Sequence, residues 1–450
     1  MVKFVSLLGT GSYIPCNYYL GSPELKVDDR CYVQQAILEI LEKKQNLLPD
    51  EIIIFTTPEA NEKNWEKNAY TADKNRLGLR DELDEFAKRT KAKVKKKDIP
   101  SGQNEKELWE IFDSIFSTLE FEDEIILDIT HAFRYLPMLA FIVLNYARAV
   151  KRCKIRAIYY GAFETLGSYA DVNVMPMEKR NAPIFDLTPF VVLFDWVIGV
   201  DRYLATGDAA NLDELTTAEI KKINEVIGED ISQTQGAPDY KTLYKDPNLL
   251  KVLAKSMTEF SNVVLTCRGQ RITEEVKELK ESLNKVIENN AHEKIKPLSP
   301  LMDILKERFD KFSSDNDVVN VLETAEWCHN NGMYQQGLTI LHEGLISYVC
   351  DKYGIKDKLK TRERENINTY SYMISENYII ADNLAINMEQ ENANELFILI
   401  SEIGKIRNDI NHAGWNDSPA APQKFRKLLA ESVEKAKELL QHEIKTAGSM

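Results

Sequence analysis

The sequence predicts an α/β, Rossmann-like N-terminal domain followed by an all-α C-terminal region. Over residues 1 to about 180, short apolar runs alternate with segments of helical period, which is typical of a parallel sheet with crossover helices. From about Leu187 the strand pattern stops and helical periodicity continues. With 450 residues and 44% hydrophobic content, the chain is long enough for two or three domains, each with its own core.

The N-terminal domain should contain a sheet whose strands lie at 3–8, 51–57, 93–99, 124–129 and 154–160. Helices are expected between these strands, at 30–44, 76–90, 105–119 and 133–150. Right-handed crossovers then give one Rossmann-like layer. The lysine-rich run at 91–97 coincides with a strand, and we interpret it as protection of an exposed edge, with RNA contact as the alternative.

The remainder of the chain shows only helical signals. Thr188-Pro189 is a cap followed by proline, which predicts the start of an amphipathic helix. Further helices are expected at 274–293, at two segments of 317–350 separated by residues 330–332, at 396–410 and at 418–445. We therefore divide the chain into an N-terminal domain at 1–185, a helical linker or insertion at 186–316 and a helical domain at 317–450.

Composition and charge restrict the class of protein. The net charge of −14 argues against a broad nucleic-acid footprint, so any RNA contact must be local. The six cysteines form no C-x-x-C pair, and the histidines show no metal-ligand spacing. The apolar runs are too short to span a bilayer, and the N-terminus runs straight into a predicted strand. We expect a reduced cytoplasmic protein with no membrane partner, no metal site and no cofactor.

Residues 406–412 contain the candidate catalytic groups. On a helix, Asn408 and His412 are four residues apart and share a face, while Arg407 points about 100° away. Gly414 can end the helix, which would place His412 in the last turn, where the free carbonyls favour a charged imidazole. Metal-free RNA cleavage needs a proton handler and a cation near the phosphate, roles that His412 and Arg407 could fill while Asn408 orients the ring.

The alternative for these residues is an ordinary helix end with a solvated arginine. The spacing of Arg407, Asn408 and His412 nevertheless resembles the R-x-x-x-x-H motif of HEPN ribonucleases, in which two copies meet across a dimer to form one RNA-cutting cleft. Arg407 and His412 lie about 140° apart on one helix, so partners across a two-fold axis suit them better. For Gln336 and Glu343 we expect a buried polar contact, with support of the active site as the alternative.

Two loops at strand ends contain the candidate binding groups. Gly9-Thr10-Gly11-Ser12-Tyr13 follows the first strand but lacks the third glycine of a dinucleotide fingerprint, so a nicotinamide or flavin site is not favoured. A small, hydroxylated loop with a tyrosine is still suited to ribose, phosphate and base.

The second loop follows the strand at 124–129. Thr130 can cap the next helix, and His131 and Arg134 with the helix-start amides could form an anion pocket. The alternative is that Asp128 and Thr130 only shape a turn and Arg134 is solvated.

The two loops, at 8–13 and 128–137, resemble the motif regions of CARF domains, and specifically of CRISPR-associated proteins that pair CARF with HEPN. In that family a CARF dimer binds a cyclic oligoadenylate, made by a type III interference complex, and the bound ring activates the ribonuclease. The resemblance implies that the following residues bind the ring: Thr10, Gly11, Ser12, Tyr13, Thr57, Thr130, His131, Arg134 and Gly161. Cyclic tetra-adenylate is the ring expected most often in this family.

The sequence thus predicts a homodimer, or a higher homo-oligomer, that cleaves single-stranded RNA when a cyclic oligoadenylate binds. The expected products carry a 2′,3′-cyclic phosphate and a 5′-hydroxyl. Two alternatives remain open. The protein could be a non-catalytic sensor that regulates a partner, or its N-terminal domain could also degrade the ring.

Overall fold

A computed structural model describes residues 1–44, 48–69, 75–130, 135–210, 212, 214–215, 247–288, 299–379 and 390–447. The chain forms two compact units, Met1–Val192 and Leu193–Met450. The first is an α/β unit and the second is helical, so the predicted fold class is confirmed. The division at 185/186 and 316/317 stays a prediction.

The first unit is built on a mixed sheet in the order β3-β2-β8-β7-β6-β1-β4-β5. Strands β1, β4, β5, β6 and β7 run parallel, as predicted, and along the chain a helix lies between each of these strands and the next. The strands are β1 Val2–Leu8, β2 Cys16–Leu20, β3 Ser22–Arg30, β4 Glu51–Thr56, β5 Lys93–Asp98, β6 Glu124–Asp128, β7 Lys154–Gly161 and β8 Asn181–Asp186.

Three strands were not predicted. β2 and β3 form an antiparallel hairpin with Gly21 at φ +70° in the turn, and β8 joins β2 in parallel and β7 in antiparallel fashion. The prediction of a purely parallel sheet is therefore wrong at this side. The charged residues of β3 and the proline in β8 hide the apolar alternation by which a strand is recognised.

Helices cover the sheet on both faces. They are α1 Val33–Lys44, α2 Leu79–Thr90, α3 Glu105–Ser117, α4 Leu136–Lys151 and the short α5 Tyr169–Val174. The predicted helix start at Arg30 is wrong, because Arg30 ends β3 and α1 begins at Val33. One core contains Phe4, Ile52, Ile126 and α1, and the other contains Val5, Ile53, Leu127 and α4. Burial on both faces explains the continuous apolar runs of the central strands.

Strand β5 forms one edge of the sheet. Two of its four lysines pair with acids: Lys95 Nζ lies 2.6 Å from Glu51 Oε1, and Lys96 Nζ lies 2.8 Å from Asp98 Oδ1. The prediction that the lysine run marks an exposed edge is confirmed.

The second unit is helical throughout its described part. Its helices begin with α6 Thr188–Thr206, which starts in the first unit, and continue with α7 Pro247–Leu265, α8 Ile272–Glu288, α9 Ser299–Phe309, α10 Asp317–Asn330, α11 Tyr334–Lys352, α12 Thr361–Ser375, α13 Gln390–Asn411, α14 Pro422–Leu439 and α15 Gln441–Ala447. The predicted polar loops at 206–250 lie mostly outside the described residues, as do most of 289–300.

An aromatic cluster forms part of the core of the second unit. The Trp327 ring centroid lies 5.3 Å from that of Tyr203, 5.5 Å from Phe309 and 5.8 Å from Phe260. A Cβ atom at Gly337 would lie 2.6 Å from Leu429, so the glycine lets α11 and α14 approach closely. Helices α10, α11, α13 and α14 pack against one another and position the residues of the candidate catalytic cluster.

Two predicted helix ends are wrong. The final helix, expected at 418–445, begins at Pro422 and is interrupted at Leu440 before α15. Helix α13 ends at Asn411, so His412 lies one residue beyond it instead of in its last turn. The reason is that Ala413 already adopts a left-handed conformation, at φ +55°, before Gly414 at φ +70°.

Candidate ligand cleft and candidate catalytic cluster

A cleft of about 250 Å³ opens beyond the carboxyl ends of the parallel strands in the first unit. Five of the predicted ligand residues line it: Thr10, Gly11, Tyr13, Thr57 and Thr130. Ligands in open α/β sheets bind at this end of the strands. Ser12 and Gly161 are neighbours of lining residues but do not line the cleft. His131 and Arg134 lie outside the described residues.

The loop after β1 is held by hydrogen bonds with buried side chains. Buried Asn64 donates through Nδ2 to the carbonyl oxygens of Gly9 and Gly11, both at 2.9 Å. The Gly9 amide donates to the Tyr13 hydroxyl at 2.9 Å, and the Tyr13 ring packs edge-on against Tyr32 with centroids 5.4 Å apart. Burial raises the pKa of Tyr13 well above its ordinary value, so this phenol stays protonated. These contacts hold both ends of the loop from within the protein.

The loop after β6 is organised by buried Asp128. Its carboxylate accepts from the Ser6 hydroxyl at 2.7 Å, from the Thr130 amide at 3.0 Å and from the Thr130 hydroxyl at 2.5 Å. Burial raises the pKa of Asp128, while these hydrogen bonds act in the opposite direction. Thr130 does not cap the next helix as predicted. Its hydroxyl turns inward to Asp128, and Tyr135, without a side-chain cap, precedes α4.

The Thr130 hydroxyl has a defined polarity. It gives its proton to Asp128 and accepts the Gly161 amide at 2.8 Å, which leaves one lone pair. Towards the cleft Thr130 can therefore only accept, and it suits a ribose hydroxyl or an adenine amino group better than a phosphate oxygen. Thr57 is the converse: its hydroxyl oxygen accepts the Ala60 amide at 3.3 Å, which leaves the proton available to donate.

Gly161 acts through its lack of a side chain. A Cβ atom there would clash with Val33 and lie 3.4 Å from the Thr130 hydroxyl oxygen. The glycine thus lets β7 approach α1 and Thr130, and its predicted contact with the ligand stays a prediction.

The predicted catalytic residues lie at the C-terminal end of α13. Asn408 and His412 are exposed, and the His412 amide donates to the Asn408 carbonyl at 2.9 Å. No hydrogen bond joins their side chains in the described chain, so the predicted orientation of the His412 ring by Asn408 is not seen within one molecule. Trp415 follows, with 90% of its surface exposed.

Arg407 is held by a cluster of charged groups instead of being solvated. Its Nη2 atom lies 3.0 Å from Glu343 Oε1 and 3.2 Å from His342 Nδ1. Glu343 also accepts from Arg364, with Nη2 at 2.6 Å and Nε at 3.0 Å. Among the described residues, Arg407 Nε is buried without a partner and Nη1 makes no hydrogen bond.

Glu343 is ionised near neutral pH. Partial burial opposes ionisation of Glu343, but hydrogen bonds from His342 and Arg364 and the charges around it outweigh that effect, and the pKa of its carboxyl falls to about 2. One carboxylate thus orients two guanidinium groups. A cation held in this way can meet a phosphate without first losing side-chain freedom.

Sequence reasoning identified Glu343 as a possible support but missed Arg364, His342 and Asn64. His342 is buried on α11, and a Cβ atom at Gly404 of α13 would lie 2.9 Å from its Nε2. The adjacent His-Glu pair, which interrupts the apolar stripe of α11, was the one available signal. Arg364 and Asn64 belong to segments whose local pattern gives none.

All six cysteines are free thiols, and five are buried. The described residues contain no group of three or more His, Cys, Asp or Glu side chains that could hold a metal ion. Across the same part of the chain, no helix combines the length and apolarity needed to cross a bilayer.

Comparison with known proteins bears on the first unit. Residues 3–164 match the family model for the CARF domain of the CRISPR system endoribonuclease Csx1. The chain is also similar to the CRISPR-associated protein MJ1674 of Methanocaldococcus jannaschii, with 28% identity over 270 residues, or 59% of this chain and 35% of that protein. The match spans about a third of the length of that relative.

Proposed function

Starting from a CARF domain at residues 3–164 of a chain similar to a CRISPR-associated protein, we propose a ligand-activated ribonuclease of type III CRISPR defence. The first unit binds a cyclic oligoadenylate, with the tetra-adenylate as the first candidate. A HEPN domain at 317–450, within the second unit, cleaves single-stranded RNA. The protein acts in the cytoplasm as a homodimer.

The ligand half of the proposal is supported by the polarity of the cleft. Thr130 accepts, Thr57 can donate, and loop amides are available beside them, which matches a molecule that alternates hydroxyls, bases and phosphates. The cleft of about 250 Å³ is small for a whole ring of four adenylates. A ring shared between two copies of the cleft removes this difficulty.

One observation supports the proposed nuclease activity: Arg407 is oriented by its ion pair with Glu343 and lies five residues before the exposed His412. In the proposed reaction the ribose 2′-hydroxyl loses its proton and attacks the adjacent phosphorus, and the 5′-oxygen leaves with a proton. His412 handles a proton and Arg407 stabilises the charge on the phosphate. The exposed Trp415 is suited to stack an unpaired base.

Homodimer formation is supported by an apolar face on α4. Met138, Ile142, Tyr146 and Val150 are spaced by four residues and are 69%, 49%, 47% and 51% exposed. Exposed apolar stripes of this kind mark interaction surfaces. Leu136 at the start of the same helix lines the cleft, so a second copy on this face would approach the ligand site. Activation then requires only that the ring bind the aligned dimer better than the misaligned one.

The test is a cleavage assay on one fluorescent single-stranded RNA with rings of three, four and six adenylates, in the presence of EDTA. Wild type is expected to cleave only with its ring, and His412→Ala is expected to lose cleavage while still binding the ring. His442→Ala, which changes an exposed histidine on another helix, is the matched control and should cleave normally. Equal cleavage by wild type and His412→Ala would refute the assignment.

The same proteins and cyclic oligoadenylates distinguish two other functions from the proposed one. A non-catalytic sensor would bind the ring but show no His412-dependent cleavage. A ring-degrading enzyme would convert labelled cyclic oligoadenylate to linear product, which chromatography detects. Arg134→Ala should abolish ring binding if Arg134 contributes to the anion pocket as the sequence predicts.

A further inference from the structure

Asn64 is a completely buried residue on the π-helical turn Asn61–Trp65, away from both sequence motifs. Its Nδ2 atom donates to the carbonyls of Gly9 and Gly11, while Oδ1 is buried without a partner among the described residues. Two carbonyl acceptors at 2.9 Å identify the nitrogen end of the amide unambiguously. A single side chain therefore binds alternate carbonyls of the glycine loop.

Peptide planarity determines what this does to the loop. In a trans peptide, the carbonyl of one residue and the amide of the next point in opposite directions. The Gly9 carbonyl shares its plane with the Thr10 amide, and the Gly11 carbonyl shares its plane with the Ser12 amide. Since both carbonyls point to Asn64, both amides must point away from it. Neither amide has an acceptor in the part of the chain that the structure describes.

We propose that Asn64 is a positioning residue that fixes the Thr10 and Ser12 amides as a pair of donors for one phosphodiester group of the cyclic ligand. Paired backbone amides are a general means of holding an anion. The inference rests on the proposed function for the identity of the ligand, and it adds the chemical group that this loop recognises. Phosphate binds at the Thr10 and Ser12 amides, whereas the acceptor Thr130 takes a hydroxyl or amino group.

Asn64 has this role because little else restrains the loop. A Cβ atom at Gly11 would meet nothing within 4 Å, so side-chain packing does not hold that residue. Gly9 is also anchored through its amide on Tyr13, and the Ser12 hydroxyl donates to the Ala69 carbonyl at 3.1 Å, but among the described residues only Asn64 binds the Gly9 and Gly11 carbonyls. A loop that is ordered in advance binds its ligand without losing conformational freedom at that step.

The test compares two isosteric substitutions on the same turn. Asn64→Asp removes both donors and places a carboxylate against two carbonyls. Asn61→Asp is the matched control, because Asn61 uses only its oxygen, as acceptor from Lys96 at 2.9 Å, and aspartate preserves that contact. Calorimetry with cyclic tetra-adenylate measures affinity, and hydrogen exchange of the ligand-free full chain measures the order of residues 9–13.

Asn64→Asp is expected to weaken ring binding at least about tenfold, the effect of one to two lost hydrogen bonds, and to speed exchange locally at 9–13. Asn61→Asp should match wild type. Asn64→Ala, which adds no charge, should show the same local exchange if the aspartate variant folds poorly.

Wild-type exchange and affinity in both Asn64 variants would overturn the inference, as would equal losses in Asn61→Asp. If wild type itself does not bind the ring, the proposed function fails, whereas exchange in the ligand-free chain still decides whether Asn64 orders the loop.

Discussion

Arg407 Nη2 and Glu343 Oε1 lie 3.0 Å apart, and Arg364 contacts the same carboxylate from the other side. The geometry makes Glu343 the orienting group of the proposed catalytic arginine. Ion pairs that share one carboxylate between two guanidinium groups are rigid because each donor restrains the other.

Replacing Glu343 with glutamine should slow RNA cleavage about tenfold, which corresponds to roughly 1.4 kcal/mol of lost transition-state stabilisation. The neutral amide keeps the shape of the side chain but holds Arg407 less firmly. Ring affinity should not change. The control is Glu395→Gln, which removes a more distant carboxylate 3.5 Å from Lys435. Unchanged cleavage, or a gain of activity without the ring, would contradict this role.

The pH dependence of stability should reveal the same contact. Because the pKa of Glu343 falls from 4.5 to about 2 in the folded protein, its contribution is fully present above pH 4.5 and is lost as the pH falls towards 2. The difference in melting temperature between wild type and Glu343→Gln should therefore be constant from pH 7 to about 5 and shrink between about 4.5 and 2. A difference that stays constant down to pH 2 would argue against the ionised contact.

Gly404→Ala should destabilise the second unit by roughly 1–2 kcal/mol. Alanine gains about 0.5–1 kcal/mol of helix propensity, but overpacking against a buried ring costs about 1–3 kcal/mol. The new Cβ would lie 2.9 Å from His342 Nε2 and push the ring towards Arg407, so cleavage should also fall. Denaturant unfolding measures the change. Gly269→Ala, where a Cβ meets nothing within 4 Å, is the control and should be neutral.

Thr130→Val should weaken ring binding about tenfold or more while Thr130→Ser remains close to wild type. Valine has the shape of threonine but leaves the Gly161 amide without its acceptor and removes one of the two hydrogen bonds to Asp128 Oδ1, whereas serine keeps both contacts of the hydroxyl. Calorimetry on both variants measures the difference. Equal affinities for valine and serine would show that the hydroxyl is not used.

Met138→Glu should convert the proposed dimer to single chains. The substitution places a charge at the exposed start of the α4 stripe, where association would otherwise bury an apolar side chain. Sedimentation velocity of the full chain measures the change. Val174→Glu alters another exposed apolar residue, 83% accessible, and should leave the mass unchanged. A dimer that survives Met138→Glu would place the interface elsewhere.

Much of the fold could be predicted because the central strands are buried on both faces. Runs such as Ile52–Phe55 are continuously apolar, and that pattern survives in a single sequence. The hairpin β2–β3 could not be found in this way. Its second strand contains Glu24, Lys26, Asp28 and Asp29, and its position depends on pairing with β2, which local patterns do not encode.

The candidate site was predictable only where motifs are contiguous. Arg407 and His412 are five residues apart and could be read together, whereas Arg407 and Arg364 share Glu343 only because α12 and α13 pack side by side with α11. Asn64 reaches Gly9 across 55 residues of sequence. Contacts between residues so far apart in sequence follow from tertiary packing. Positioning residues are therefore recognised only in the structure, whereas the groups that they position can be recognised in the sequence.

The lysines along β5 carry a consequence for how copies of the chain can associate. If the β5 edges of two copies paired strand to strand, their lysines would face one another. Like-charge repulsion therefore opposes edge-to-edge pairing of sheets into fibres. Edge-to-edge growth of the sheet at β5 is therefore disfavoured, and the dimer contact proposed on α4 does not depend on this edge.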